Sequence, residues 1–405
     1  MKFDYKKLGN LIEISETKNK DLTVTKLVGM NIHKEFIPSV ANTIGTNLAR
    51  YKLINENQFA CNLMHVGRDK SVVISLFTSK KPTIISPAYK VFEIKNKEMI
   101  LPKFLMMYFR RSEFDRLGWF YTDSSIRGSL DWAKFCDIKI PIPTLEIQEK
   151  IVKIYEFLNY RIKLKERINK NLEEQILTIF VSWFFKFDLN DEFKDSKLGL
   201  IPKDWSIDYL GSNKSCSIIG SGIPQFTGLK NYIATADVDN TSIVNENNFV
   251  TMKNKPSRAN MSPTEKSIWF AKMIDSRKLI MVDDYSKDLI ENYIFSTGFC
   301  GLKCLDKYFY YLWSFLLTNT FDTMKNNFCT GTTMQAINNK DTKMIEFVLP
   351  DDNTLFKFDK IAKPVFEKIY YNNLEIKKLT KLRDVLLPKL MSGEIDVSKI
   401  NCDLE

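Results

Sequence analysis

Asp69 and the run Glu93-Ile-Lys95 have the side-chain types of a metal-dependent nuclease. An aspartate and an E-x-K on neighbouring strands can hold Mg2+ and activate water, although charged pairs at strand ends are far commoner as solvated surface groups. Other catalytic signatures are missing. No G-x-x-x-x-G-K-[ST] provides a phosphate loop, and Gly220-Ser221-Gly222 reads as a turn. No Pro-Pro dipeptide exists, so the Asn/Asp-Pro-Pro-aromatic motif of an amino-methyltransferase is missing. His33 and His65 have no partner at metal-ligand spacing, and Cys300 with Cys304 is too sparse for zinc.

Residues suited to polyanion binding are more plentiful. Lys253, Lys255, Arg258, Lys266, Lys272, Arg277 and Lys278 face only Glu265 and Asp275 within their stretch, a density that suits phosphate contact. Two short basic loops, Gly67-Arg68-Asp69-Lys70 and Asp275-Ser276-Arg277-Lys278, each follow an apolar strand, expected to start at Phe59-Ala60 and Phe270-Ala271. Arginine in such a loop can grip guanine edges in the major groove; a solvated hairpin tip is the plain alternative. A second matched pair is rich in hydroxyls: Thr122 to Ser129, including Arg127, and Thr330 to Gln335, including Thr332 and Thr333. Hydroxyls and Gln suit phosphates and base edges alike, and also an ordinary polar loop. Trp119, Phe120 and Tyr121 are expected to close the core, with covering of bases as the alternative.

These loops recur because the chain repeats itself. Phe104 to Tyr108 leads to Phe114-Asp115, and Tyr311 to Phe315 leads to Phe321-Asp322, a shift of 207 residues. The same shift lays Ile138, Ile140, Ile142 and Pro143 over Ile345, Phe347, Leu349 and Pro350. Upstream, Leu8-Gly9 lies over Leu210-Gly211 and Met30-Asn31 over Ala236-Asp237, the drift expected from changed loop lengths. A duplication with pseudo-twofold repetition follows. Each copy reads as a mixed α/β domain. Strands are expected at Ser71–Phe77, Tyr89–Ile94 and Ile138–Ile142, and at 344–349 in the second copy. Helices are expected at Leu101–Phe114 and Tyr308–Phe321.

A long helix follows each copy. Ile151, Ile154, Leu158 and Ile162 begin an apolar stripe that Ile168, Leu172, Ile176 and Ile179 continue. The second copy offers Phe358, Ile361, Val365, Ile369, Asn372, Ile376, Leu379, Leu382 and Leu386. A narrow seam with charged flanks argues for pairing with another long helix, and antiparallel pairing of the two is the obvious arrangement. Pro364 is expected to start or bend the distal helix. About 40 residues give about 60 Å of helix, and DNA half-sites read from one face lie about 34 Å apart. A spacer between two reading heads follows; simple dimerisation is the other use. The fold class is therefore α+β: mixed α/β domains at 1–143 and 189–350, helical regions at 144–188 and 351–405.

Composition bounds the partners. The 405 residues carry 59 Lys+Arg against 49 Asp+Glu, a net charge of +10, and 44% are hydrophobic. Two or three domains with real cores and a polyanionic partner, nucleic acid or an acidic membrane face, are expected. No apolar run is long enough for a membrane span, and Met1-Lys-Phe-Asp-Tyr-Lys-Lys lacks a signal-peptide core. Seven scattered cysteines without a CxxC pair suit a reduced, cytoplasmic protein.

The chain resembles the specificity subunits of type I restriction-modification systems over essentially its whole length. The carriers are Ile140-Pro-Ile-Pro-Thr-Leu-Glu-Ile-Gln148-Glu-Lys-Ile151, the linker Leu198-Gly-Leu-Ile-Pro-Lys-Asp-Trp205, and the tail Leu382-Arg-Asp-Val-Leu-Leu-Pro-Lys-Leu-Met-Ser-Gly-Glu-Ile395. The resemblance implies two recognition domains alternating with two paired helical regions, each domain reading half of a bipartite site in double-stranded DNA. It also implies two methyltransferase partners that carry S-adenosylmethionine and methylate adenine N6. In the full complex, motor-nuclease subunits with ATP and Mg2+ join them, and no cofactor or metal is expected in this chain. Two departures stand out. The first domain begins almost directly at Leu8-Gly9 without an Ile-Pro-x-x-Trp opening, which implies a trimmed edge, and Leu355 stands where the first copy has Gln148. A coiled-coil scaffold without specific DNA reading is the competing function. On the DNA reading, Arg277→Ala would weaken or relax one half-site only.

Overall fold

The computed structural model describes residues 3–39, 45–123 and 128–398. It divides into two units, Met1–Leu164 with Ile376–Glu405, and Lys165–Glu375. The first unit contains strands β1 (Asp4–Lys7), β2 (Ile12–Ile14), β3 (Leu27–Met30), β4 (Phe36–Pro38), β5 (Lys52–Ile54) and β6 (Phe59–Asn62). After the one-turn helix α1 (Val66–Asp69) come β7 (Val73–Leu76), β8 (Thr83–Ile85) and β9 (Lys90–Ile94). Helices α2 (Pro102–Phe109), α3 (Ser112–Phe120) and α4 (Trp132–Asp137) precede β10 (Lys139–Ile142), and the long α5 (Leu145–Phe184) continues into the second unit.

There the hairpin β11 (Phe193–Ser196) and β12 (Gly199–Pro202) leads to β13 (Ser206–Tyr209), β14 (Cys216–Ile218) and β15 (Lys230–Ile233). Short strands β16 (Val238–Asp239), β17 (Ser242–Ile243), β18 (Phe249–Val250) and β19 (Ala259–Met261) follow, then β20 (Ser267–Ala271) and β21 (Leu279–Val282). Helix α6 (Lys287–Asn292), β22 (Tyr293–Ser296) and β23 (Phe299–Cys304) come next, followed by helices α7 (Phe309–Leu316), α8 (Asn319–Asn327) and α9 (Asn339–Thr342). Strand β24 (Glu346–Leu349) leads into the second long helix, α10 (Asp352–Ser392), whose later part lies in the first unit.

The two units repeat one topology. One four-stranded sheet runs β2-β9-β6-β7 in the first and β14-β23-β20-β21 in the second. The other runs β4-β3-β8-β5 and β18-β15-β22-β19, with a parallel pair at its centre in both cases. The closing pairs match in register: Asp4 opposes Ile142 as Ser206 opposes Leu349, and Lys7 opposes Lys139 as Tyr209 opposes Glu346. Leu8 N–H donates to the Ile138 carbonyl and Leu210 N–H to that of Ile345. Upstream the sequence alignment slips. Strands β3 and β15 end at Met30 and Ile233, whereas Ala236-Asp237 lies in the helical turn that follows.

Alternation along the central strands builds two cores per unit. Phe59 and Cys61 of β6 and Phe92 and Ile94 of β9 face the helices, while Ala60 and Val91 face a second core with Val28, Ile54 and Ile85. In the second unit Ile268 and Phe270 share the helix-side core with Leu302, whereas Trp269 packs with Phe295 and Phe299. Gly301 lets Trp269 lie flat on the sheet, since a Cβ there would sit 2.5 Å from the indole. Strands buried on both faces are apolar throughout rather than alternating. Each fully buried Phe of this kind is worth about 1.5–3 kcal/mol.

Three expectations need correction. Leu101–Phe114 and Tyr308–Phe321 are each two helices, because Arg111 and Thr318 adopt extended backbone. The Thr318 hydroxyl then caps the second helix at Phe321 N–H. The corner turns Phe114 and Phe321 into the core. Pro364 does not start α10: the helix begins at Asp352, its first turns held by the buried Leu355, Phe358, Ala362 and Phe366. Leu382, counted in the apolar stripe, is exposed; Leu387, Leu390 and Met391 carry the buried face there.

Within each unit, segments of α5 and α10 lie side by side. In the first, Ile147, Ile151 and Val152 share a core with Leu387, Leu390 and Met391, and Arg383 donates to Asn159 Oδ1 at 3.1 Å. Ile151 and Leu158 are buried, Ile154, Leu379 and Leu386 half-buried. In the second unit Phe180 packs on Phe358, and Leu172, Ile361 and Val365 are half-buried. A polar ladder crosses that seam. Buried Asn372 donates to Asn169 Oδ1 at 2.7 Å and accepts from Lys165 Nζ at 3.1 Å, Asn169 donates to Asn373, and Lys165 pairs with Glu375 at 2.8 Å.

Candidate nucleic-acid interface

In both units the hydroxyl-rich loop is fastened to the hairpin connection beneath it by the same backbone hydrogen bonds. In the first unit the connection from β6 to β7 carries α1, and the loop follows α3. Gly67 N–H donates to the Gly128 carbonyl at 2.8 Å and Leu130 N–H to that of Leu63 at 2.9 Å. In the second, Ile274 N–H donates to the Gln335 carbonyl at 3.0 Å and Ile337 N–H to that of Lys272 at 2.9 Å. The loop bases also correspond. Asp123 N–H donates to the Ser129 carbonyl as Thr330 N–H does to that of Ala336. Ser129 spends its own groups on this fastening, its N–H on Asp123 Oδ1 and its hydroxyl on the Met64 carbonyl. Gly67 and Gly128 are required by contact: a Cβ on Gly67 would lie 2.7 Å from Gly128 Cα.

A cation steadies each rim, a buried lysine in the first unit and a half-buried arginine in the second. Asp322 of α8 receives Arg277 Nη1 at 3.1 Å, and the same guanidinium donates to Asn319 Oδ1 at 2.8 Å and to the Leu317 carbonyl beyond α7. Asp115, 207 residues earlier, receives Lys34 Nζ at 2.8 Å, and Lys34 also donates to the Phe109 carbonyl at the end of α2. Both cations cap orphan carbonyls at a helix C-terminus. Burial lowers the Lys34 pKa against the pull of Asp115, and burial raises that of Asp322 against the pull of Arg277. Lys325, also buried, donates to the Met273 and Ser276 carbonyls and so shapes the β20–β21 connection from below. Lys34 and Lys325 escape sequence reasoning because nothing local separates a buried lysine from an exposed one. The only signal was the repeated Phe-Asp pair at Asp115 and Asp322.

The proposed contact residues fall into two groups. Arg277 is committed to the α7–α8 corner, Lys278 donates to the Thr235 carbonyl at 2.6 Å, and Lys255 to that of Ala259 at 3.0 Å. Thr332, Thr333, Gln335 and Arg258 are exposed, as are Arg68 and Lys70. Arg68 pairs with its neighbour Asp69 at 2.7 Å, a hydrogen bond that holds the Asp69 carboxyl below its ordinary range. Both lie on α1 rather than in an irregular loop. Lys70 adopts a left-handed conformation, with its ammonium 5.2 Å above the Trp119 ring. Arg127 lies outside the described residues. Phe270-Ala271 closes β20, which begins at Ser267.

The aromatic run after Gly118 does not close the core. Trp119, Phe120 and Tyr121 are 46%, 80% and 37% exposed, because α3 turns its Phe114 and Gly118 face inward and carries its last turn past the edge of the core. The nuclease-type residues are engaged separately: Asp69 with Arg68, Glu93 with Gln58 Nε2 at 3.0 Å, Lys95 with the Gly9 carbonyl at 3.0 Å. Among the described residues no cluster of His, Cys, Asp or Glu could hold a metal, and no helix is long and apolar enough to cross a membrane.

Two α+β modules of one topology, each with a loop laced to a hairpin at its rim, make this a tandem-repeat protein. Residues 2–174 match the family described as the type I restriction modification DNA specificity domain. The chain is 29% identical over 280 residues to the type I restriction enzyme MjaIX specificity subunit of Methanocaldococcus jannaschii, covering 65% of this chain and 62% of that relative's length. It is 22% identical over 385 residues to the HindI specificity subunit of Haemophilus influenzae, covering 77% of this chain and 81% of the relative. Its fold is similar to the crystal structure of a type I restriction-modification S subunit from M. genitalium, with TM-score 0.54, 13% identity and 96% of each chain covered. Over its first copy the chain is thus similar to type I restriction modification DNA specificity domains.

Proposed function

We propose that the chain is the non-catalytic DNA sequence-recognition subunit of a type I restriction-modification complex, each unit reading one part of a bipartite target. The observation that carries this is the pair of equivalent rims, fastened by the same backbone bonds yet bearing different side chains. A common frame with divergent tips is what two readers of different sequences need. The net charge of +10 supplies the sequence-independent attraction. On the same reading, α5 and α10 pair as an antiparallel coiled-coil spacer whose outer faces dock two methyltransferase subunits. Those partners bring S-adenosylmethionine for adenine N6 methylation, and restriction subunits, where they join, bring ATP and Mg2+. The complex works in the cytoplasm on chromosomal DNA.

The test is a single-molecule map of adenine methylation in host DNA with the gene intact and deleted. A bipartite motif with a fixed unread gap should vanish on deletion, and exchanging one unit should change one half of the motif. Unchanged methylation beside an active methyltransferase partner would reject the reading in favour of a scaffold.

A further inference from the structure

Helix α3 ends in an aromatic group with no counterpart in the second unit. Phe120, at 80% exposure, is the most solvent-open large apolar side chain among the described residues; its ring meets Tyr121 edge to face at 5.5 Å. Trp119 lies beneath the Lys70 ammonium, and Lys134 Nζ reaches the Tyr121 carbonyl at 3.3 Å. The group is braced rather than loose. Gly118 lies so close to Val72 that a Cβ would meet its Cγ2 at 2.3 Å, and Thr122 closes the helix with its hydroxyl on the Trp119 carbonyl at 2.7 Å. In the second unit, 207 residues on, Asn326 and Asn327 replace Trp119 and Phe120. Asn326 is tied to Asp275, and Phe328 packs on the core.

Exposed aromatics grouped on a firm base mark a binding surface. Here the chemistry around them names the occupant. Lys70 stands over the Trp119 ring and Lys134 on the Tyr121 carbonyl, and the fastened loop that begins at Asp123 follows directly. Ring faces flanked by cations complement base faces flanked by phosphates.

We propose that Phe120, braced by Tyr121, is a wedge that the first unit inserts at a base step of its DNA half-site. This rests on the reading of the two units as DNA readers. Apolar wedges partly unstack the step they enter and kink the duplex. The site therefore favours easily deformed pyrimidine–purine steps, and this half of the target is selected partly by deformability. The second unit, with asparagines at these positions, reads its half without a wedge.

The test uses the assembled methyltransferase complex with wild-type, Phe120→Ala or Phe120→Leu chains. The probe is duplex DNA carrying the motif obtained from the methylation map. A fluorescent base, 2-aminopurine or pyrrolocytosine, is placed at each position in turn. The wild type should raise emission at one step in the first half and at none in the second. Phe120→Ala should keep the wild-type unfolding temperature, lose that signal and bind about tenfold more weakly, while Phe120→Leu keeps most of both. Wild-type affinity with Phe120→Ala, or an unchanged emission step, would overturn the wedge. Failure of Phe120→Ala to join the methyltransferase would also overturn it and assign the rings to protein docking. Wild type that selects the motif without an emission step defeats the wedge alone. Wild type that fails to select the motif defeats the DNA reading and the wedge together.

Discussion

Arg277→Ala separates a structural arginine from a base-reading one. The guanidinium spans the Leu317 carbonyl, Asn319 Oδ1 and Asp322 Oδ2, so the substitution uncaps α7 and strands a carboxylate that burial already disfavours. Breaking a fully buried pair costs about 3–5 kcal/mol and an exposed one about 0–1 kcal/mol. Side-chain exposures of 32% and 24% put this pair between those limits. A loss of about 2 kcal/mol is expected, or about 4–8 °C for a domain of this size. Urea unfolding, followed through the second unit's tryptophans, measures it. Asp322→Asn should cost less, and the double variant should recover about 1 kcal/mol relative to the sum of the two. Lys34→Ala should show the same behaviour in the first unit, because Lys34 performs the same task on Asp115. If Arg277→Ala unfolds like the wild type and the methylated motif changes in one half, Arg277 reads bases and this reasoning fails.

Alanine at Thr332, Thr333 and Gln335 together should relax one half of the mapped motif with no change in unfolding, since all three side chains are exposed. Gly67→Ala should push the Gly128 strand of the loop away and weaken DNA binding through the first unit, read by competition between duplexes altered in one half or the other. Asp359 is pushed up to about 6 by burial, with Lys266 and Lys363 opposing. Its favourable protonated form is fully present below about pH 4 and its contribution fades as pH rises through 6. Asp359→Asn should therefore raise stability at pH 8 by about 1 kcal/mol, after allowance for partial exposure, and leave it unchanged at pH 4; equal effects at both would refute the assignment. Asn372→Leu should change stability little but loosen the helix register. Spin labels at Glu166 and Tyr371 should report a broader distance distribution.

The repeat and its strands were legible because they rest on patterning that any copy of the fold must keep. Ile138–Pro143 and Ile345–Pro350 fill the same closing strand, and their apolar alternation shows in one dimension. The two loops at each rim were also legible, since turn residues and charge cluster in sequence. What failed depended on neighbours far along the chain. Arg277 reads as a surface cation until α8 brings Asp322 to it, and Lys34 reads as loop until Asp115 arrives from 81 residues away. The helix corner at Arg111 has no proline or glycine to announce it. Trp119 and Phe120 misled because hydrophobicity predicts burial only when a core lies on that side of the helix, which is a property of tertiary placement.

The lacing of the rims has an evolutionary consequence. The bonds between Gly67 and Gly128, and between Ile274 and Gln335, involve only main-chain groups. Side chains along the tip can therefore mutate without disturbing the frame that aims them, as interchangeable type sits in a fixed forme. Insertions within the laced segment are another matter, because one extra residue shifts every donor off its acceptor. New specificities in such a chain should arise by substitution at constant loop length, or by exchange of a whole unit, rather than by gradual lengthening of the loops.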